Sequence, residues 1–121
     1  MFELRVSANF SAAHRLNGYK GKCANLHGHN WKVDIYLRSN RLDKIGMIKD
    51  AREVRRILNE FLENLDHKYL NELSFFKKKA PTSENIARYV YKELKKMLPQ
   101  LIEVCVCESD SVAISYGSRR L

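Results

Sequence analysis

Two runs of strictly alternating residues, both pointing at histidines, constrain this chain more than any other feature. Phe2, Leu4, Val6, Ala8, Phe10 and Ala12 alternate with Glu3, Arg5, Ser7, Asn9 and Ser11. That is the pattern of a strand with one face buried, and its parity carries His14 onto the apolar face. Trp31, Val33, Ile35 and Leu37 alternate with Lys32, Asp34, Tyr36 and Arg38 in a second strand, and His27 and His29 share the parity of Trp31. The loop between the runs, Asn17-Gly18-Tyr19-Lys20-Gly21-Lys22, has turn chemistry. Antiparallel pairing then brings three of the four histidines to one end of a hairpin, on its covered side.

Three neutral imidazoles would leave a zinc ion its full charge and one open position, as in catalytic centres. His14, His27 and His29 are therefore candidate ligands, and the thiol of Cys23 stands four residues before the pair.

The rest of the chain reads as helix and strand. Asp50 is a candidate N-cap with Glu53 at the third helical position, followed by Val54, Ile57, Leu58, Phe61, Leu62 and Leu65 at helical spacing. A second helix is expected after Pro81, capped by Thr82 or Ser83. Its stripe is Ile86, Val90, Leu94, Met97 and Leu98, and Pro99 ends it. Two strands follow, 101–108 and 111–116. The expected order ββααββ gives an α+β fold: a four-stranded antiparallel sheet with both helices on one face. Tyr36 and Tyr116 are expected on the other, nominally solvent face. Uncovered sheet edges point to pairing between copies, hence a homo-oligomer.

Residues 1–121 form one domain, long enough to bury roughly 65% of its unfolded surface. No signal-like h-region follows Met1 and no apolar run is long enough for a bilayer, so no membrane role is expected. Cys105 and Cys107, two apart on a strand, read as small hydrophobes in a reduced, cytoplasmic protein. The net charge of +8, from 22 Lys+Arg against 14 Asp+Glu, favours an anionic partner.

The short segments resemble a known family. They are Phe10-Ser11-Ala12-Ala13-His14-Arg15-Leu16, Cys23-Ala24-Asn25-Leu26-His27-Gly28-His29, Gly46-Met47-Ile48-Lys49-Asp50, Leu65-Asp66-His67, Pro81-Thr82-Ser83-Glu84-Asn85 and Glu108-Ser109. In this order they resemble the 6-pyruvoyltetrahydropterin synthase / 6-carboxytetrahydropterin synthase family over nearly the whole chain. The resemblance implies a tunnelling fold (T-fold), with three subunits closing their sheets into a β-barrel and two trimers stacking as a hexamer. It implies zinc on His14, His27 and His29, with Cys23 as the catalytic acid or base. Asp66 and His67 of an adjacent subunit would complete the catalytic relay. Glu108 would grip the pterin, with Thr82 and Ser83 near that pocket.

The three residues between Cys23 and His27 look like the carboxytetrahydropterin synthases of queuosine biosynthesis, since the pyruvoyl-forming enzymes typically carry a longer insert. The implied reaction is a lyase step on 7,8-dihydroneopterin triphosphate. Arg15, Lys22 and Lys77-Lys78-Lys79 are candidates for the triphosphate. Ala51, where many relatives carry Phe, and the tail ending in Arg119-Arg120-Leu121 depart from the family pattern. Alternatives are a 6-pyruvoyltetrahydropterin synthase and, from another class, a zinc-stabilised nucleic-acid-binding module. The second needs a fourth protein ligand on the metal, and the chain lacks the basic-aromatic interleaving that stacks bases. The partner expected is a pterin triphosphate, with no nucleic acid.

Overall fold

The structure, a computed structural model, describes residues 1–16 and 26–118. Cys23, Lys22, Arg119 and Arg120 lie outside the described residues. Strand β1, Phe2–His14, pairs antiparallel with β2, His27–Ser39. Their register sets Phe10 opposite Trp31, Val6 opposite Ile35 and His14 opposite His27, as the shared parity requires. Helix α1 spans Ala51–Leu62, and Asp50 caps it by accepting from the Arg52 N–H. Glu53 does not complete a reciprocal capping box; it pairs with Arg56 one turn on. After α1, the two residues of β3, Lys68–Tyr69, run parallel to β1, and two short 3-10 turns follow at Leu70–Glu72 and Ser74–Lys77. Helix α2, Ser83–Lys95, precedes β4, Leu101–Ser109, and β5, Val112–Gly117.

The sheet therefore has five strands in the order β3-β1-β2-β4-β5, mixed rather than purely antiparallel. This corrects the expected four-stranded antiparallel sheet. A two-residue strand has no periodicity to read; it exists because the turn after α1 returns the chain along the free edge of β1.

Both helices pack on one face. The core joins Val54, Leu58 and Leu62 of α1 and Ile86, Val90 and Leu94 of α2 to one parity of β1, β2 and β4. On that face Trp31, Val33, Ile35 and Leu37 are fully buried. Leu65 and Leu98, each just beyond a helix end, complete the stripes from irregular backbone, whereas Met97 is half exposed. Tyr116, expected on the solvent face, sits on the helix side: it pairs with Val104 and its ring lies 5.1 Å from that of Tyr91 in α2. Tyr36 is on the opposite face as expected, yet it is almost fully buried there.

Among the described residues, no helix is long and apolar enough to cross a membrane.

Candidate metal centre

The open end of the β1–β2 hairpin collects the three histidines. His14 is the last residue of β1, 1% exposed, because the apolar parity runs through it into the core. Its Nδ1 lies 2.8 Å from the carbonyl of Pro81, just before α2. A carbonyl can only accept, so Nδ1 carries the proton and Nε2 of the neutral ring is a bare lone pair. That Nε2 lies 2.9 Å from Nε2 of His27. Trp31 forms the wall behind them, edge-on to the rings of His14 and His29 at 5.1 and 5.3 Å between centroids.

Among the described residues, His29 Nε2 is buried without a hydrogen-bond partner. It lies 3.0 Å from Glu108 Oε1, a close approach without hydrogen-bond alignment. Burial pushes His14 and His29 below their ordinary value of 6.5. The Pro81 carbonyl opposes this at His14, and the Glu108 carboxylate opposes it at His29. Neutral imidazole is the form that ligates a metal.

Four donors, on His14, His27, His29 and Glu108, lie within 4.8 Å of one another. Imidazole nitrogens and a carboxylate suit zinc, whose ligands sit about 2.0–2.2 Å from the ion. The unpartnered Nε2 of His29 and the fixed tautomer of His14 both fit such an ion. An acceptor for the N–H on the far nitrogen, as the Pro81 carbonyl is for His14, is the usual way a protein orients a metal-binding histidine.

Glu108 enters this cluster because β4 continues the parity of Val104 and Val106, which face the helices. The same alternation was available in the sequence and places Glu108 beside the histidines. Ser83, 8% exposed at the first turn of α2, reaches Glu108 Oε2 at 3.4 Å. Thr82 is the N-cap of α2, accepting from the Asn85 N–H, so its hydroxyl serves the helix.

Asp66 and His67 stand apart from the four donors. They lie in the turn between α1 and β3. His67 takes a left-handed backbone, φ 57°, and its N–H donates to the Ser11 carbonyl of β1. Its Nδ1 lies 2.9 Å from Asp66 Oδ2, while Asp66 Oδ1 accepts from the Ser11 N–H at 2.8 Å. That backbone bond, helped by His67, holds the Asp66 carboxyl below the usual carboxylate range. The His67 side chain is 82% exposed. His67 and His29 both border an open cleft of about 510 Å³ that also touches Ser11, Ala13, Gly28 and Tyr69.

Of the basic candidates, the Arg15 backbone is tied on both sides to Asn71, and Lys79 lies over the Phe75 ring at 5.3 Å.

A profile of the family described as 6-pyruvoyl tetrahydropterin synthase matches residues 3–119. The chain belongs to that family. Among similar proteins, the 6-carboxy-5,6,7,8-tetrahydropterin synthase of Synechocystis sp. PCC 6803 is 37% identical over 119 residues, covering 93% of this chain and 91% of the relative. The 6-pyruvoyl tetrahydrobiopterin synthase of Dictyostelium discoideum is 32% identical over 120 residues, covering 88% and 89%. The solved 6-pyruvoyl tetrahydropterin synthase of Caenorhabditis elegans superposes with a TM-score of 0.88 at 29% identity, covering 97% of this chain and 95% of that one. The chain is thus a tetrahydropterin synthase-family enzyme, with named relatives in both branches.

Proposed function

We propose that this chain is a zinc-dependent 6-carboxytetrahydropterin synthase working in the cytoplasm, in queuosine (7-deazapurine) biosynthesis. The reaction turns 7,8-dihydroneopterin triphosphate and water into 6-carboxy-5,6,7,8-tetrahydropterin, acetaldehyde and triphosphate. The observation that supports the metal is the convergence of His14, His27 and His29, with His29 Nε2 buried and unpartnered among the described residues. For the branch, the support is the three-residue interval between Cys23 and His27 together with the Synechocystis relative.

His14, His27 and His29 would hold the ion, whose contribution when bound is a Lewis acid beside the substrate's side-chain oxygens. Cys23 acts as the acid or base on that side chain; a nearby cation favours its thiolate. Glu108 accepts from the 2-amino and ring N–H groups of the pterin. Two parallel charge-assisted bonds of this kind fix a planar ring. The contact of Ser83 with the second oxygen orients the carboxylate.

Asp66 and His67 of a neighbouring subunit complete the proton relay. The Asp66 carboxylate fixes the proton on His67 Nδ1, which leaves the exposed Nε2 as the exchanging nitrogen. A pair of this kind exposed on one chain is consistent with a site closed by a second. The assembly we infer is the trimer-based barrel, stacked as a hexamer.

The test strips the protein with a chelator and follows triphosphate release from 7,8-dihydroneopterin triphosphate. Release should fall to background and return when zinc is added to fill the histidine site, in wild type but not in Cys23→Ala. Full turnover by the stripped protein would refute the metal's role, and full turnover by Cys23→Ala would remove that thiol from the mechanism.

A further inference from the structure

The sheet face turned away from both helices carries a second constellation of metal-ligating groups that the chemistry above does not use. Asp34 of β2 stands directly across from Cys105 of β4, and Lys32 stands across from Cys107. Directly opposed residues bring their Cβ atoms to about 4.5–5.5 Å, and diagonal neighbours remain within side-chain reach. Cys105 and Cys107, two apart, project from the same face. The carboxylate oxygen and the two sulfurs lie within 4.8 Å of one another.

Asp34 is 6% exposed although it lies on the face away from both described helices. Its Oδ1 accepts from Ser7 Oγ and lies 3.9 Å from Lys32 Nζ. Both cysteines are free thiols and half-buried. A disulfide between them would be strained, since two residues along a strand are about 6.6 Å apart at Cα, near the upper limit for a bridge. What the pair can do without moving the backbone is share a metal.

We propose that Asp34, Cys105 and Cys107 form a second metal site for a thiophilic divalent ion of the zinc class, separate from the histidine centre. Two thiolates and a carboxylate are a common donor set for such an ion, with sulfur at about 2.3 Å and oxygen at about 2.0–2.2 Å; solvent fills the remaining position. Those lengths require only small rotations of side chains already this close. Sulfur donors select zinc or cadmium over magnesium and calcium. Each thiol gives its proton to solvent on coordination, so binding releases up to two protons per ion. The net negative charge of the loaded site lies beside Lys32. Bound there, the ion ties β2 to β4 at the centre of the sheet.

The probe is cobalt(II), titrated into reduced, metal-stripped protein carrying Cys23→Ser and His29→Ala, which remove one proposed histidine ligand and the Cys23 thiol. The expected result is binding of one cobalt ion per chain with a thiolate-to-cobalt charge-transfer band in the near ultraviolet. Adding Cys107→Ser should abolish the band. Absence of the band in the first variant, or its persistence after Cys107→Ser, would overturn the site. If the triple variant fails to fold, thiol modification of the double variant decides. Bound cobalt should slow reaction of Cys105 and Cys107 by at least about tenfold, as a bound ligand masks thiolates. Equal rates with and without cobalt would contradict the proposal.

Discussion

Pro81 supplies only a carbonyl to the histidine cluster, yet that carbonyl decides which nitrogen of His14 faces the other histidines. A proline backbone has no N–H, so its carbonyl is the only main-chain hydrogen-bonding group it offers. Nothing in the sequence marks this pairing, because it joins positions 67 apart. The histidines themselves were legible, since parity alone set all three on one face. Glu108 was legible in position but ambiguous in role, because it lies close enough to serve as a fourth ligand. Glu108→Gln resolves this. In the pterin-anchoring role it should keep zinc in the histidine site and weaken substrate binding about 10- to 100-fold, the worth of a charge-assisted bond. Loss of that zinc would instead make Glu108 a ligand.

Asp66 gives a pH prediction. Its folded value lies below the ordinary 3.8, chiefly through the Ser11 N–H. The group therefore stabilises the fold above pH 3.8, and that contribution is lost as pH falls through the lowered value. Denaturant midpoints of wild type and Asp66→Asn should differ at neutral pH and converge as pH falls through that lowered value. A gap that does not change with pH would contradict the assignment.

At the level of elements, β1, β2, α1, α2, β4 and β5 were readable because each repeats its period several times. β3 and the two 3-10 turns were not, being too short for any period. Their positions follow from tertiary contact, such as the bond from the His67 N–H to Ser11. Tyr116 takes the helix side, not the side its sequence alternation implies, because an irregular register between Cys107 and Ser109 resets the alternation of the β4–β5 ribbon.

The end of that ribbon depends on one glycine. Gly117 has φ 128°, and a Cβ added there would lie 2.2 Å from the Ile102 carbonyl oxygen. Gly117→Ala should destabilise the protein by about 1–3 kcal/mol or more, through backbone strain plus the clash. Equilibrium denaturation measures this, and an unchanged midpoint would mean the ribbon end relaxes freely.

For the whole molecule, the proposed function divides one site between two regions of the chain. The histidines, Glu108 and Ser83 gather on the helix side of the sheet, while exposed His67 and half-buried Asp66 stand beside β3. If the halves belong to different subunits, two inactive variants should rescue each other. Cys23→Ala and His67→Ala, each inactive alone, should recover about a quarter of wild-type turnover after unfolding and refolding together, since intact halves meet by chance in one site of four. No recovery despite confirmed mixed oligomers would place both halves in one chain. The oligomer was expected from the sheet edges, but which edge meets which is a property of two surfaces, and one sequence pattern does not specify it.

The most direct test is to incubate zinc-loaded protein with 7,8-dihydroneopterin triphosphate and identify every product by mass spectrometry. Equimolar 6-carboxy-5,6,7,8-tetrahydropterin, acetaldehyde and triphosphate is the predicted result. A 6-pyruvoyl product with triphosphate, and no acetaldehyde, would contradict the carboxy assignment and move the chain to the sister activity.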